Sequence, residues 1–167
     1  MINQRQNKSG AGFTLIELLI YITLVAFISV IFTSFVIDVV KNAGRAIVAK
    51  EVNQSARMLL ARLDQEIKTG NNVTVVSPSQ LTLTDYSGTT ITLTFDGTAD
   101  AVFYDNGSGP VVISNPTVRI TYLSFNQISP QTIAINLAVE QKKLNPPPTQ
   151  RYKLELVSTV IPRPQLY

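Results

Sequence analysis

From Leu18 to Ile37 the chain runs for twenty residues without a formally charged side chain. As a helix rising about 1.5 Å per residue, such a run spans roughly 30 Å, the thickness of bilayer hydrocarbon. One membrane pass is therefore expected, and a chain of 167 residues then has room for a single compact domain beside it. Arg5 and Lys8 precede the run and Asp38 follows it. The positive-inside rule keeps such an N-terminus cytoplasmic and sends the remainder outward.

Composition removes several classes of function. Histidine and cysteine are both absent, which takes away imidazole and thiolate nucleophiles, bases and ligands, and with them most zinc sites and the His-dependent triads. An outward-facing domain without disulfides must be held by its core alone, which about 100 β-rich residues can do. The net charge is +3, but Arg5 and Lys8 lie before the apolar run and the remaining cations nearly balance the acids. Direct nucleic-acid binding, which needs a clustered basic surface, is not expected.

Three readings of the run differ in what they make of Glu17, at its mouth. A removable secretory signal has an apolar core of about 7 to 15 residues and ends at a small-x-small site. This run is longer and continues into DVVKNAGRA. A plain uncleaved anchor leaves Glu17 unexplained. A carboxylate in hydrocarbon costs a few kcal/mol and calls for a partner, yet no other charged side chain lies in the run. A cut after Gly12 would create one, because the new α-amino group of Phe13 is a cation four residues from Glu17.

Here the sequence resembles the type IV prepilin family, whose signature is a short basic leader ending in Gly, followed by a Phe-Thr-Leu-Ile-Glu start to a long apolar helix. The stretch GFTLIELLI matches it with Gly12 before the cut, Phe13 as first mature residue and Glu17 as fifth. The resemblance implies that a prepilin peptidase, a membrane aspartic protease, cleaves Gly12–Phe13 and N-methylates Phe13. The subunit then waits in the cytoplasmic membrane until an inner-membrane assembly platform draws it into a filament of pilin or pseudopilin subunits. It further implies that Glu17 pairs with the N-terminal amine of a neighbour or of its own chain. An unpaired charge in an apolar filament core is costly, so such pairing would favour one axial register over others.

Departures from the pattern narrow the subclass. Ala11 stands where the leader commonly carries a basic residue, with Lys8 further back. Ala26 and Ser34 stand where abundant pilins often have Gly and Pro. With no C-terminal cysteine pair, these point to a minor pilin or pseudopilin of a type IV pilus, secretion or DNA-uptake filament.

Beyond the run, Val48, Val52, Ala56, Leu59, Leu60, Leu63 and Ile67 recur at helical spacing, and Gly70 supplies a stop. The spacing predicts helix from about Thr14 to Thr69, with Gly44 as a point where it can bend. The apolar face of its second half is core for a sheet. Arg57, Arg62, Asp64 and Glu66 read most simply as a solvated face, with intersubunit ion pairs as the sharper alternative.

From Asn71 the period changes to two, through VTVV, QLTLT, TITLTF, AVFY, PVVI, VRITYLSF, TIAINLAVE and YKLELVST. This predicts an antiparallel meander of six to eight strands with one face on the helix. The expected fold class is α+β and pilin-like: leader 1–12, transmembrane or filament-core helix 13–40, amphipathic helix 41–70 and an extracytoplasmic β-rich domain 71–167. Asp96, Asp100, Asp105 and Asn106 suggest calcium only weakly, since their spacing is not that of an EF-hand and Asp-Gly and Asn-Gly are ordinary turn chemistry. Lys142, Lys143 and Arg151 around the triple proline 146–148 read as a solvated connection rather than a basic binding loop. The tail STVIPRPQLY weakly resembles the terminal strand and Arg-containing end of minor pseudopilins. No metal, cofactor or catalytic residue is expected. The rival readings are an anchored β-domain that binds a ligand without assembling, and an anchored hydrolase using Asp96, Asp100 or Asp105.

Overall fold

The change of period at Asn71 is a change of structure. In the computed structural model, which describes residues 13–129, 131–142 and 152–162, the helix α1 (Leu15–Thr69) precedes eight strands. These are β1 (Asn72–Ser77), β2 (Gln80–Thr84), β3 (Thr90–Asp96), β4 (Ala101–Asp105), β5 (Val111–Val112), β6 (Val118–Ser129), β7 (Thr132–Gln141) and β8 (Lys153–Val160). The expected leader with Gly12, the triple proline with Lys143 and Arg151, and the last five residues of the tail lie outside the described residues. The chain divides into two compact units, Met1–Ala43 and Gly44–Tyr167.

The first unit consists, from Leu15, of helix whose apolar side chains find nothing to pack against. Leu18, Ile22, Val25, Ile31 and Phe35 are each at least 55% exposed, and the segment is long and apolar enough to cross a membrane. Four of its hydroxyl side chains are satisfied internally. Thr23, Ser29, Thr33 and Ser34 donate to the carbonyls of Leu19, Val25, Ser29 and Val30 at 2.8, 2.8, 2.8 and 3.1 Å. Four hydroxyls thus add no unpaired donor to a surface suited to hydrocarbon, where each unsatisfied polar group costs several kcal/mol.

In the second unit the same helix turns amphipathic. Val52, Ala56, Leu59, Leu63 and Ile67, at steps of three and four, are at most 4% exposed and join one core cluster with Leu81, Leu83, Leu93, Phe125, Ile135 and Leu137 from the strands. Two strand sets complete that core. Strands β1 to β5 form an antiparallel sheet in sequence order, and β6, β7 and β8 form a second. The expected single meander is thus two, broken between β5 and β6 at Asn115-Pro116. The proline has no N–H to continue a ladder, and Asn115 instead accepts from the Thr117 N–H at 3.0 Å and donates to Ser55 Oγ on α1 at 3.1 Å.

Strand alternation decides which face is covered. In β2 and β3, Leu81 lies opposite Leu93 and Leu83 opposite Ile91, all inward. Thr74, Thr82 and Thr92 form a ladder on the other face, where β-branched pairs suit the pleat. In β7, Ile133, Ile135, Leu137 and Val139 are at most 2% exposed. Gly70 ends α1 where a side chain would fit only tightly: a Cβ there would sit 3.0 Å from Leu83 Cβ and 3.3 Å from Val73 Cγ2, so these would have to give by a few tenths of an ångström.

Two substitutions measure this packing. Leu63→Ala removes a wholly buried side chain and is expected to lower unfolding stability by about 2–5 kcal/mol. Gly70→Ala overfills the helix end and is expected to cost about 1–3 kcal/mol. Denaturant unfolding of the detergent-solubilised chain, followed by tyrosine fluorescence, reads both; Leu24→Ala, in the exposed apolar half, should leave the midpoint in place.

Candidate functional site

Thr14, Leu15, Ile16 and Glu17 have the spacing of a capping box, in which a Thr side chain caps the helix and a Glu occupies its third position. The structure forms the threonine half: the Glu17 N–H donates to Thr14 Oγ1 at 3.4 Å, and the Leu18 N–H donates to the Thr14 carbonyl at 3.2 Å. Glu17 is also the acidic residue of the first turn, where the helix dipole favours negative charge.

Phe13, Glu17 and Tyr21 are four residues apart and share one face. The rings of Phe13 and Tyr21, four positions before and after Glu17 in the chain, meet edge-on with centroids 6.0 Å apart. Glu17 is half-buried while the apolar side chains around it are exposed. The structure thus links Glu17 to Thr14 through the cap and Phe13 to Tyr21 through their rings. Thr14 was detectable as the first member of Thr-x-x-Glu. The aromatic contact depends on helical geometry bringing residues eight apart onto one face.

The acidic residues of the β-rich part have local partners. The Asp96 carboxylate accepts from the N–H groups of Thr98 and Ala99 at 2.7 and 3.2 Å, which hold its pKa below the usual 3.8. Asp105 accepts from the N–H groups of Gly107 and Gly109 at 2.8 and 3.2 Å, both glycines having the positive φ that side chains avoid. Asp100 lies 3.9 Å from Arg119, which also donates to Glu140 at 2.8 Å. Among the described residues no three of His, Cys, Asp or Glu are grouped to hold a metal ion.

The charged face of α1 is likewise partly used within the chain. Asp64 pairs with Lys68 at 2.6 Å, and the Arg62 guanidinium stands over the Tyr104 ring, 6.0 Å from its centroid. Burial raises the Tyr104 pKa above 10.0, Glu66 and Asp85 raise it further, and Arg62 opposes them.

A helix with an exposed apolar first half, whose second half shares a core with antiparallel sheets, defines an α+β protein of pilin-like architecture. Residues 7–33 match the prokaryotic N-terminal methylation motif, and the chain is type IV prepilin-like. Neither a curated protein nor a solved structure matches it.

Thr14→Ala removes the cap and is expected to cost about 1 kcal/mol of first-turn stability. Amide exchange at Glu17 in lipid nanodiscs should quicken several-fold, with Thr14→Ser retaining protection. The raised Tyr104 pKa means that the folded state holds its proton more tightly than the unfolded state does. Its contribution to stability is complete below pH 10 and is lost as pH rises through the folded pKa. An alkaline titration followed by tyrosinate absorbance and unfolding midpoint should show this fall, and Tyr104→Phe should reduce it.

Proposed function

We propose that the chain is a minor pilin or pseudopilin: a prepilin peptidase cleaves it after Gly12 and N-methylates Phe13, and it enters a type IV pilus, type II secretion or DNA-uptake filament. The observation that carries this reading is the motif match over residues 7–33, with Glu17 half-buried at the start of an otherwise uncharged helical run to Ile37. Residues 13–40 hold the subunit in the cytoplasmic membrane with its β-rich part outside. The same apolar surface then packs among neighbouring subunits. The role is structural, which accords with a chain that has no histidine or cysteine.

Glu17 has a definite task in this scheme. Cleavage turns the Phe13 nitrogen from an amide into a cation, and the carboxylate becomes its partner at the helix start. In an apolar surround a buried charge left without its partner is strongly destabilising, typically by 3–5 kcal/mol. Subunits that pair the two charges are favoured over slipped neighbours that do not. The preference for a minor subunit comes from Ala26 and Ser34 and from the absence of cysteine.

Intact-mass and N-terminal analysis of membrane-extracted protein from a host with the peptidase should find a chain beginning at N-methylated Phe13; an unmodified Met1 start would sink the reading. Gly12→Val should block processing. Glu17→Val should insert and be cleaved but enter sheared filaments at least ten-fold less than wild type by immunoblot. Normal incorporation would remove the assembly role of Glu17.

A further inference from the structure

Helix α1 changes its support near its middle. The uncharged run ends at Ile37, and the first side chain of α1 wholly withdrawn from solvent is Val52. Between them Asp38, Lys41, Asn42, Arg45 and Ile47 are exposed, and Val48 is the first to pack on the core, so residues 41–47, about two turns of helix, have neither hydrocarbon nor core beside them. The two compact units divide within this stretch, after Ala43. Isolated helices shorter than about 12–15 residues are marginal in water, so this turnover segment is held mainly by its own hydrogen bonds and its two supported ends.

Gly44 stands in that segment and is the sole glycine of Leu15–Thr69. Glycine lowers helix stability by about 1 kcal/mol relative to alanine, and nothing in the structure requires it. Its φ is not in the left-handed region, and a Cβ built on it meets no heavy atom within 4 Å. The contrast is Gly70, where a Cβ would strike Leu83 at 3.0 Å. Neither glycine has a left-handed φ, so tight space accounts for Gly70 and nothing comparable accounts for Gly44. What Gly44 does contribute is a local weakness, placed where the helix has least support.

We infer that Gly44 is a hinge: α1 opens around residues 40–48 more readily than elsewhere, so that the membrane segment and the β-rich head can reorient without disturbing the packing of either. Its use, which rests on the filament reading above, is in the passage from bilayer to filament, when the apolar half changes surroundings and the head does not.

Hydrogen exchange of the full-length chain in lipid nanodiscs tests the hinge. Amides of residues 40–48 should exchange faster than those of residues 20–34 and 55–65. Gly44→Ala should slow them about five-fold and leave residues 55–65 unchanged. Protection of 40–48 equal to that of 55–65, or no slowing in Gly44→Ala, overturns the hinge. For its use, Gly44→Ala should be cleaved after Gly12 as wild type but enter sheared filaments several-fold less, and normal incorporation overturns that part. A wild-type chain that keeps Met1 would count against the filament reading alone, because the exchange result does not depend on it.

Discussion

A helix running unbroken from Leu15 to Thr69 cannot be satisfied by one environment, because its two halves present different chemistry. The first exposes leucine, isoleucine, valine and phenylalanine on every side, a surface that water does not tolerate at this size. The second confines its apolar residues to the row Val52, Ala56, Leu59, Leu63 and Ile67 and completes a core with the strands. The rest of the chain follows from that division. The sheets need the amphipathic half to cover their inner faces, and the apolar half needs an apolar surround such as a membrane to cover it.

The same division explains where polar groups are allowed. In the apolar half, hydroxyls bond to carbonyls one turn back and a carboxylate sits in the first turn of the helix. In the head, polar groups close turns, as Asp96 and Asp105 do, or tie the helix to the strands, as Asn53 does by donating to the Tyr152 hydroxyl at 2.9 Å. Glu17 differs from all of these. Its carboxylate stands at the positive end of the helix dipole, in the one position where processing of the chain would create a second, full charge beside it.

Much of this was legible in the sequence. The helix was expected from Thr14 to Thr69 and begins one residue later, with Thr14 as its cap. Each of the eight apolar alternations became a strand, because period two and turn residues such as Asp96-Gly97 and Asn106-Gly107 are local signals. The split of the strands into sheets of five and three was not legible, since Asn115-Pro116 looks like any other loop until Asn115 is seen to bond with Ser55. Nor was the engagement of Arg62 with Tyr104, which joins residues forty-two positions apart.

By itself, then, the sequence determined what depends on neighbours along the chain: the apolar span, its cap at Thr14, the change from helical to strand period, and the motif around Gly12, Phe13 and Glu17. Tertiary structure decided what depends on distant residues meeting. It divided the strands between two sheets, placed Arg62 over Tyr104, and made the space at Gly70 tight while leaving that at Gly44 open. Both glycines look alike in sequence, because whether a Cβ has room is set by side chains such as Leu83 that arrive only on folding.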